Sequence, residues 1–199
     1  MFELEKLNGE ATEKYIKDLA LFRIDNFRKY PYLYDGNMVY EKKYLQSFSK
    51  NNNSLIYVAK INNEIVGIST AVPLESEYEI VKGTGRKFTE VGLDVKDFYY
   101  FGEIIIRTEY RGKGIAAYIF KIQEEDAKKK GYKGSCFLVV DRKKDHPLKP
   151  KDYIEPDGMW SHMGYRKTDI SMDFEWPTIQ VDSVSKVMKN TMVYWIKTF

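Results

Sequence analysis

Residues 103–120 read EIIIRTEYRGKGIAAYIF, and no other stretch limits the fold as tightly. Three consecutive β-branched residues, Ile104, Ile105 and Ile106, predict a strand covered on both faces. Past Gly114 the spacing turns helical: Ile115, Ala116, Ile119, Phe120 and Ala127 share a stripe, and Lys128, Lys129 and Lys130 fill the last turn before Gly131. A buried strand must therefore become a helix within a few residues. Such a junction leaves the N–H groups of the helix's first turn without partners and adds the positive end of the helix dipole. Gly112 and Gly114 remove the Cβ atoms that would hold a bulky anion away, while Arg111 and Lys113 add full charge. The ligand this chemistry fits is a phosphate, and best a diphosphate. Close packing of strand on helix asks for the same glycines and stands as the alternative.

The common nucleotide loops do not fit. RGKGIA lacks the first glycine and the Lys-Ser/Thr of a P-loop, and KGTGRKF at 82–88 carries no dinucleotide fingerprint after a strand. Bulk properties narrow the class further. A chain of 199 residues with 43% hydrophobic and 31% charged residues suits one globular domain over 1–199. With 32 Lys+Arg against 29 Asp+Glu the net charge is only +3, too balanced for a protein devoted to nucleic-acid backbone. The one cysteine, Cys136, excludes an internal disulfide, and with only His146 and His162 beside it no structural zinc site is expected. Neither a signal-like start nor an apolar run of about 20 residues is present, so the expectation is a cytoplasmic protein with no membrane partner.

Along the chain, FELEKL alternates as a short first strand. A first amphipathic helix is predicted over about 12–30, carrying Ile16, Leu19, Ala20, Ile24 and Phe27 and ended by Pro31, and a second through Tyr40, Tyr44, Leu45 and Phe48. SLIYVAKI and EIVGISTAVPL around Asn62-Asn63 predict a hairpin. Residues 75–96 read as a broken helix, since Gly83 and Gly85 weaken any long one. FYYFGEIIIR and GSCFLVVDR are strands on either side of the glycine-opened helix; a long loop, the short segment MWSHMGY and alternating runs at 166–176 and 188–198 follow. The order predicts an α/β or α+β fold with a mixed sheet. The last run, KNTMVYWIKTF, suits a place inside the sheet or an edge open to a homodimer.

Arg111, Gly114 and Ala116 match R-x-x-G-x-A, and in this strand-before, helix-after setting the chain resembles the GNAT superfamily of N-acetyltransferases. VAKINNEIVGISTAVPL resembles that family's second and third strands, and WSHMGYRK its short aromatic helix and entry to the sixth strand. NFRKYPYLYDG, YYFGEI, DHPLKPKDY and FEWPTI extend the likeness to one bacterial branch and to nearly the whole chain. The resemblance implies a GNAT-like fold: a mostly antiparallel mixed sheet of about six to seven strands flanked by helices, splayed between the fourth and fifth. It implies acetyl-CoA as acyl donor and cosubstrate, no metal, and direct attack by an amine acceptor on the thioester. Carried over, Ile104 and Ile106 would offer backbone to the pantetheine arm, an amide near Ile105 or Ile106 would stabilise the oxyanion, and Arg111, Gly112, Lys113, Gly114, Ile115 and Ala116 would wrap the pyrophosphate.

An amine acceptor must lose a proton, so a base or a water–carboxylate relay is needed. Glu103, just upstream on the same strand, is the first candidate; a structural carboxylate paired with a neighbouring base is the competing role. Asp141 and His146 lie at or beyond the end of the fifth strand, where relay groups could also reach, but each reads first as a loop or turn residue. Where many family members carry a tyrosine that reprotonates the leaving thiolate, this chain has Trp160, whose indole is no acid, so the role falls to Tyr153 or to solvent. Cys136 reads as a buried hydrophobe, and Tyr165 as packing. Tyr30, Tyr32, Tyr34 and Tyr40 fall where the family forms an acceptor wall, and with Asp35 they would suit an amine or aromatic-bearing acceptor, though core and lid packing explain the same residues at least as well. The leading reading is an N-acetyltransferase acting on an amine of a small molecule, peptide or protein. The missing tyrosine at 160 keeps a second open, a catalytically silent module that binds acyl-CoA. Nucleic-acid binding through Lys128–Lys130 and the 142–151 loop ranks last.

Overall fold

The computed structural model describes residues 2–199. Seven strands form one mixed sheet: β1 (Glu3–Leu7), β2 (Leu55–Ile61), β3 (Glu64–Pro73), β4 (Phe98–Ile106), β5 (Gly134–Val140), β6 (Arg166–Ile179) and β7 (Ser185–Thr198), in spatial order β1-β2-β3-β4-β5-β7-β6. Every neighbouring pair is antiparallel except β4 and β5. The β2–β3 hairpin turns through Asn62 and Asn63, both left-handed at φ 51° and 64°, the geometry whose twist suits a tight two-residue loop.

Helices cover both faces. On one lie α1 (Ile16–Phe27), α2 (Met38–Ser49) and α3 (Tyr78–Glu90), over a core that includes Leu19, Leu45, Ile56, Val58, Ile68 and Phe88. On the other lie α4 (Ile115–Lys129) and the short α5 (Asp157–His162), over Tyr57, Ala59, Val66, Phe101, Ile119 and Trp195. The alternation along β2 explains both cores at once, since Ile56 and Val58 face one layer and Tyr57 and Ala59 the other.

Three sequence expectations need correction. The first helix is α-helical only from Ile16; residues Gly9–Tyr15 form 3-10 turns. Residues 78–90 are one continuous helix despite Gly83 and Gly85. Ile80, Thr84 and Phe88 recur every four residues and are buried, Phe88 lying 5.7 Å from the ring of Phe98 and 5.0 Å from that of Tyr194. Tertiary packing outweighs the glycine cost, and a Cβ on Gly83 would come within 3.0 Å of Met172 Cε. The two final runs are strands of 14 residues each, longer than the alternation indicated. The C-terminal one, β7, is an interior strand between β5 and β6, and the outer edge of β6 is partly closed by Leu33–Asp35, whose backbone bonds to Ile179 and Pro177 at 2.8 Å each.

Candidate active site

β4 and β5 pair only at Phe98–Gly134, Tyr99–Ser135 and Tyr100–Cys136; beyond those three pairs they diverge. β5 nevertheless stays paired with β7 as far as Val140, so the divergence opens a wedge inside an otherwise continuous sheet. The wedge is a cleft of ≈ 710 Å³, walled by residues 101–106 of β4, 137–140 of β5, the start of α4, residues 30–32 and the loop after β5.

Gly102 prepares the β4 wall. The register runs Thr70–Glu103 and then Ala71–Phe101, so Gly102 is the extra residue of a β-bulge, where a Cβ would collide with Thr70 Oγ1 and lie 3.2 Å from Tyr44 Oη. The bulge reverses the alternation: Phe98 and Tyr100 face the α1–α3 layer before it, and Ile105 faces that layer after it, with Ile106 turned to the α4 side. Glu103 has the parity of Ile105 and is thereby carried toward α1 and α2. Because Arg107 N–H donates to Val66 at 2.9 Å, the same alternation turns Ile105's backbone to β3 and leaves that of Ile104 and Ile106 facing the wedge.

Below Ile106 the chain makes a 3-10 turn (Thr108–Tyr110) and enters α4 through Gly112 and Gly114, at φ 72° and 79°. No atom lies within 4 Å of a Cβ built on either glycine, so no close packing demands them there; left-handed backbone and open space in front do. The first intrahelical bond joins Tyr118 N–H to Gly114, leaving the N–H groups of residues 114–117 without helical partners. Arg111 Nε donates to the Ile106 carbonyl at 3.1 Å and its side chain lines the cleft, as do Gly112, Gly114, Ile115 and Ala116. Lys113 points elsewhere, its Nζ 4.8 Å from the Tyr110 ring centre.

Glu103 lines the cleft with a side chain only 4% exposed and is ion-paired to Arg23 of α1. Arg23 Nε also holds Glu41 Oε2 at 2.5 Å, and its guanidinium lies 4.2 Å from the Tyr44 ring centre. Burial works to lower the Arg23 pKa, but Glu103, Tyr44 and Glu41 together raise it. Tyr44 Oη donates to Glu103 Oε2 at 3.3 Å, its phenol held well above the ordinary range by burial and by Glu103. Tyr32, also on the cleft wall, is pushed up to about 12 by burial and then by the same carboxylate.

Tyr153 reaches the cleft from the loop after β5, edge-on to Tyr30 at 4.7 Å, and burial, then Glu155, raises its phenol. Trp160 forms part of the lining, packed against Phe137 and Trp195 at 5.2 and 5.1 Å. Cys136 lies away from the cleft, fully buried, its thiol raised by burial. Asp141 sits at the mouth, bonded to Lys167 at 3.2 Å, whereas His146 is outside the lining and its Nδ1 accepts from Leu148 N–H. Of the aromatic wall, Tyr30 and Tyr32 line the cleft; Tyr34 bridges to Thr178, Tyr40 is exposed, and Asp35 is bound by Arg28 at 2.5 Å and Ser185 at 2.7 Å.

Three residues escaped the sequence reading. Gly102 stood inside a strand pattern, which is the mark of a bulge. Arg23 falls four residues after Leu19, on the buried stripe of α1, where a charge needs a partner. Arg142, just past β5, donates to the Pro31 and Tyr32 carbonyls at 2.8 and 2.9 Å and lines the cleft; nothing local in sequence marks it. Among the described residues no cluster of three His, Cys, Asp or Glu is arranged to hold a metal, and no helix is long and apolar enough to cross a membrane.

The fold is shared with solved acetyltransferases. Arabidopsis thaliana NAA60 in complex with acetyl-CoA superposes with a TM-score of 0.64 at 12% identity, covering 100% of this chain and 99% of that one. The ribosomal-protein-alanine N-acetyltransferase of Brucella melitensis gives 0.62 at 10%, covering 99% of each chain, and the IAA acetyltransferase of Bacillus cereus gives 0.56 at 14%, covering 100% of each. Identities this low carry the fold alone. No protein of curated function matches the chain in sequence. The family-level match is direct: the model of the Acetyltransferase (GNAT) family matches residues 19–148, from α1 through the glycine loop to the end of β5 and beyond. That span is well over half the chain and contains both walls of the wedge, so the chain belongs to the GNAT acetyltransferase family.

Proposed function

We propose that this protein, as one domain over 1–199, is a cytoplasmic acetyl-CoA-dependent N-acetyltransferase that passes the acetyl group directly to a primary amine. The observation that carries the reading is the wedge between β4 and β5 ending at the open, left-handed Gly112–Gly114 turn. Family membership and the acetyl-CoA held by the Arabidopsis neighbour support the donor. When bound, the thioester supplies an activated acetyl group; the remaining work belongs to the chain.

Arg111 and the unpaired N–H groups at the start of α4 hold the diphosphate, with Lys113 adding long-range charge from outside the lining. The wedge-facing backbone of Ile104 and Ile106 orients the pantetheine arm, and the Ile106 N–H is the donor aimed where carbonyl oxygen gains charge. Ile105 contributes its side chain to the core and its amide to β3. Glu103, oriented by Arg23 and Tyr44, takes the amine proton through water. Tyr153, kept protonated by burial, returns a proton to the departing thiolate.

Calorimetric titration of the full chain with acetyl-CoA, beside Gly114→Trp, tests the reading. Binding by the natural chain and its loss in the variant is the expected pair of results. No binding by the natural chain would overturn it, and binding without thiol release across an amine panel would transfer the reading to the silent module.

A further inference from the structure

Of the basic side chains that line the cleft, Lys149 is paired with Glu155 at 2.7 Å and Lys167 with Asp141 at 3.2 Å. Arg111, Arg142 and the exposed Lys144 have no carboxylate partner among the described residues. Arg111 belongs to the proposed diphosphate turn. Arg142 stands at the other wall, on the backbone of residues 31 and 32, and is half-buried where desolvation lowers its pKa. A guanidinium brought this far out of water without a counter-charge is costly unless an anion joins it.

Its geometry leaves room for one. Nε and one N–H of Nη2 are spent on the Pro31 and Tyr32 carbonyls, while Nη1 has no protein partner among the described residues. Pinning the 31–32 backbone is not a sufficient reason for a charge there, because Trp176 Nε1 already donates to the same Tyr32 carbonyl at 3.2 Å. Tyr32 belongs to the same wall of the cleft. Its carbonyl holds Arg142, and its side chain lines the same cleft as Glu103. Phe27, Tyr30 and Tyr32 make this part of the cleft wall aromatic.

We infer that the acceptor is a small amine that also carries an oxyanion, a carboxylate or a phosphate, with the amine toward Glu103 and the anion on the free edge of Arg142. This rests on the acetyltransferase reading. Arginine's planar fork suits either anion, while a lysine there would offer a point charge only.

The test is thiol release from acetyl-CoA with matched acceptors: tyrosine against tyramine and lysine against cadaverine for the carboxylate, phosphoethanolamine against ethanolamine for the phosphate. The expected result is a kcat/KM for the oxyanion-bearing member of at least one pair about 10- to 100-fold above that of the partner lacking the oxyanion, the worth of a charge-assisted hydrogen bond. In Arg142→Gln that ratio should collapse toward one, and in Arg142→Lys it should fall only in part. A purely structural arginine would lower both members equally and leave the ratio intact, which overturns the inference. Equal or better turnover of the members lacking the oxyanion overturns it too, as does absence of turnover with every amine that carries one. Calorimetry with acetyl-CoA alone is read separately, so that failure of the acetyltransferase reading is not mistaken for failure of this one.

Discussion

Arg23 of α1 and Glu103 of β4 form an ion pair whose side chains are 8% and 4% exposed, directly beneath the cleft. The bulge at Gly102 decides that Glu103 meets Arg23 at all, since unbroken alternation through Gly102 would turn that carboxylate toward α4. Replacing Arg23 with leucine leaves Glu41 and Glu103 buried without their cation. The expected cost is about 3–5 kcal/mol of folding stability in urea titration. A loss under about 1 kcal/mol would mean the pair opens to solvent.

Glu103→Gln keeps shape and leaves Arg23 its second carboxylate, Glu41. As the proton acceptor, Glu103 should account for about 10²–10⁴-fold in kcat, with acetyl-CoA affinity unchanged by calorimetry. Unaltered kcat across the pH range would assign the residue to structure alone.

Tyr153→Phe removes one hydroxyl from a ring already supported by its edge contact with Tyr30. Folding should be unaffected while kcat falls about 100-fold, the lower end of the range for a positioned acid. Unchanged turnover would hand proton return to solvent.

Gly85 sits in the interior of α3, and a Cβ there would meet Val81 Cγ1 at 3.4 Å, an ordinary contact. Gly85→Ala should therefore raise stability by about 0.5–1 kcal/mol, read as an upward shift in Tm. A drop in Tm would reveal crowding that the spacing does not show.

Glu5 on β1 is held near a pKa of about 2, against an ordinary 4.5, chiefly by the hydrogen bond from Lys60 at 2.5 Å, with burial opposing and Tyr15 and Lys14 assisting. A depressed carboxylate pKa stabilises the fold above about 4.5, and the gain is lost as pH falls toward about 2. With the side chain a third exposed, solvent screening cuts its worth to about 1 kcal/mol. Glu5→Gln should be less stable than the natural chain near pH 6, and the difference should close near pH 2 in urea titrations at each pH.

The chain's local patterns determined a good deal. The β-rich runs at 55–61 and 64–73 around Asn62-Asn63, the isoleucines at 104–106 and the glycine-opened stripe from Ile115 each declare an element, because side-chain pattern and left-handed turns act over a few residues. The same locality made the anion-binding turn legible, since its glycines, bases and free N–H groups are neighbours in sequence.

Only the tertiary structure decided the rest. The continuity of α3 through Gly83 and Gly85 depends on Phe88 packing against Phe98 and Tyr194, partners 10 and 106 residues away in a chain whose local propensity argues the other way. The pairing of Glu103 with Arg23 and the seating of Arg142 on residues 31 and 32 each join segments far apart in sequence. Which face a charged side chain reaches depends on strand register, and which charge it meets depends on how layers stack. Neither is written in the spacing of any single segment.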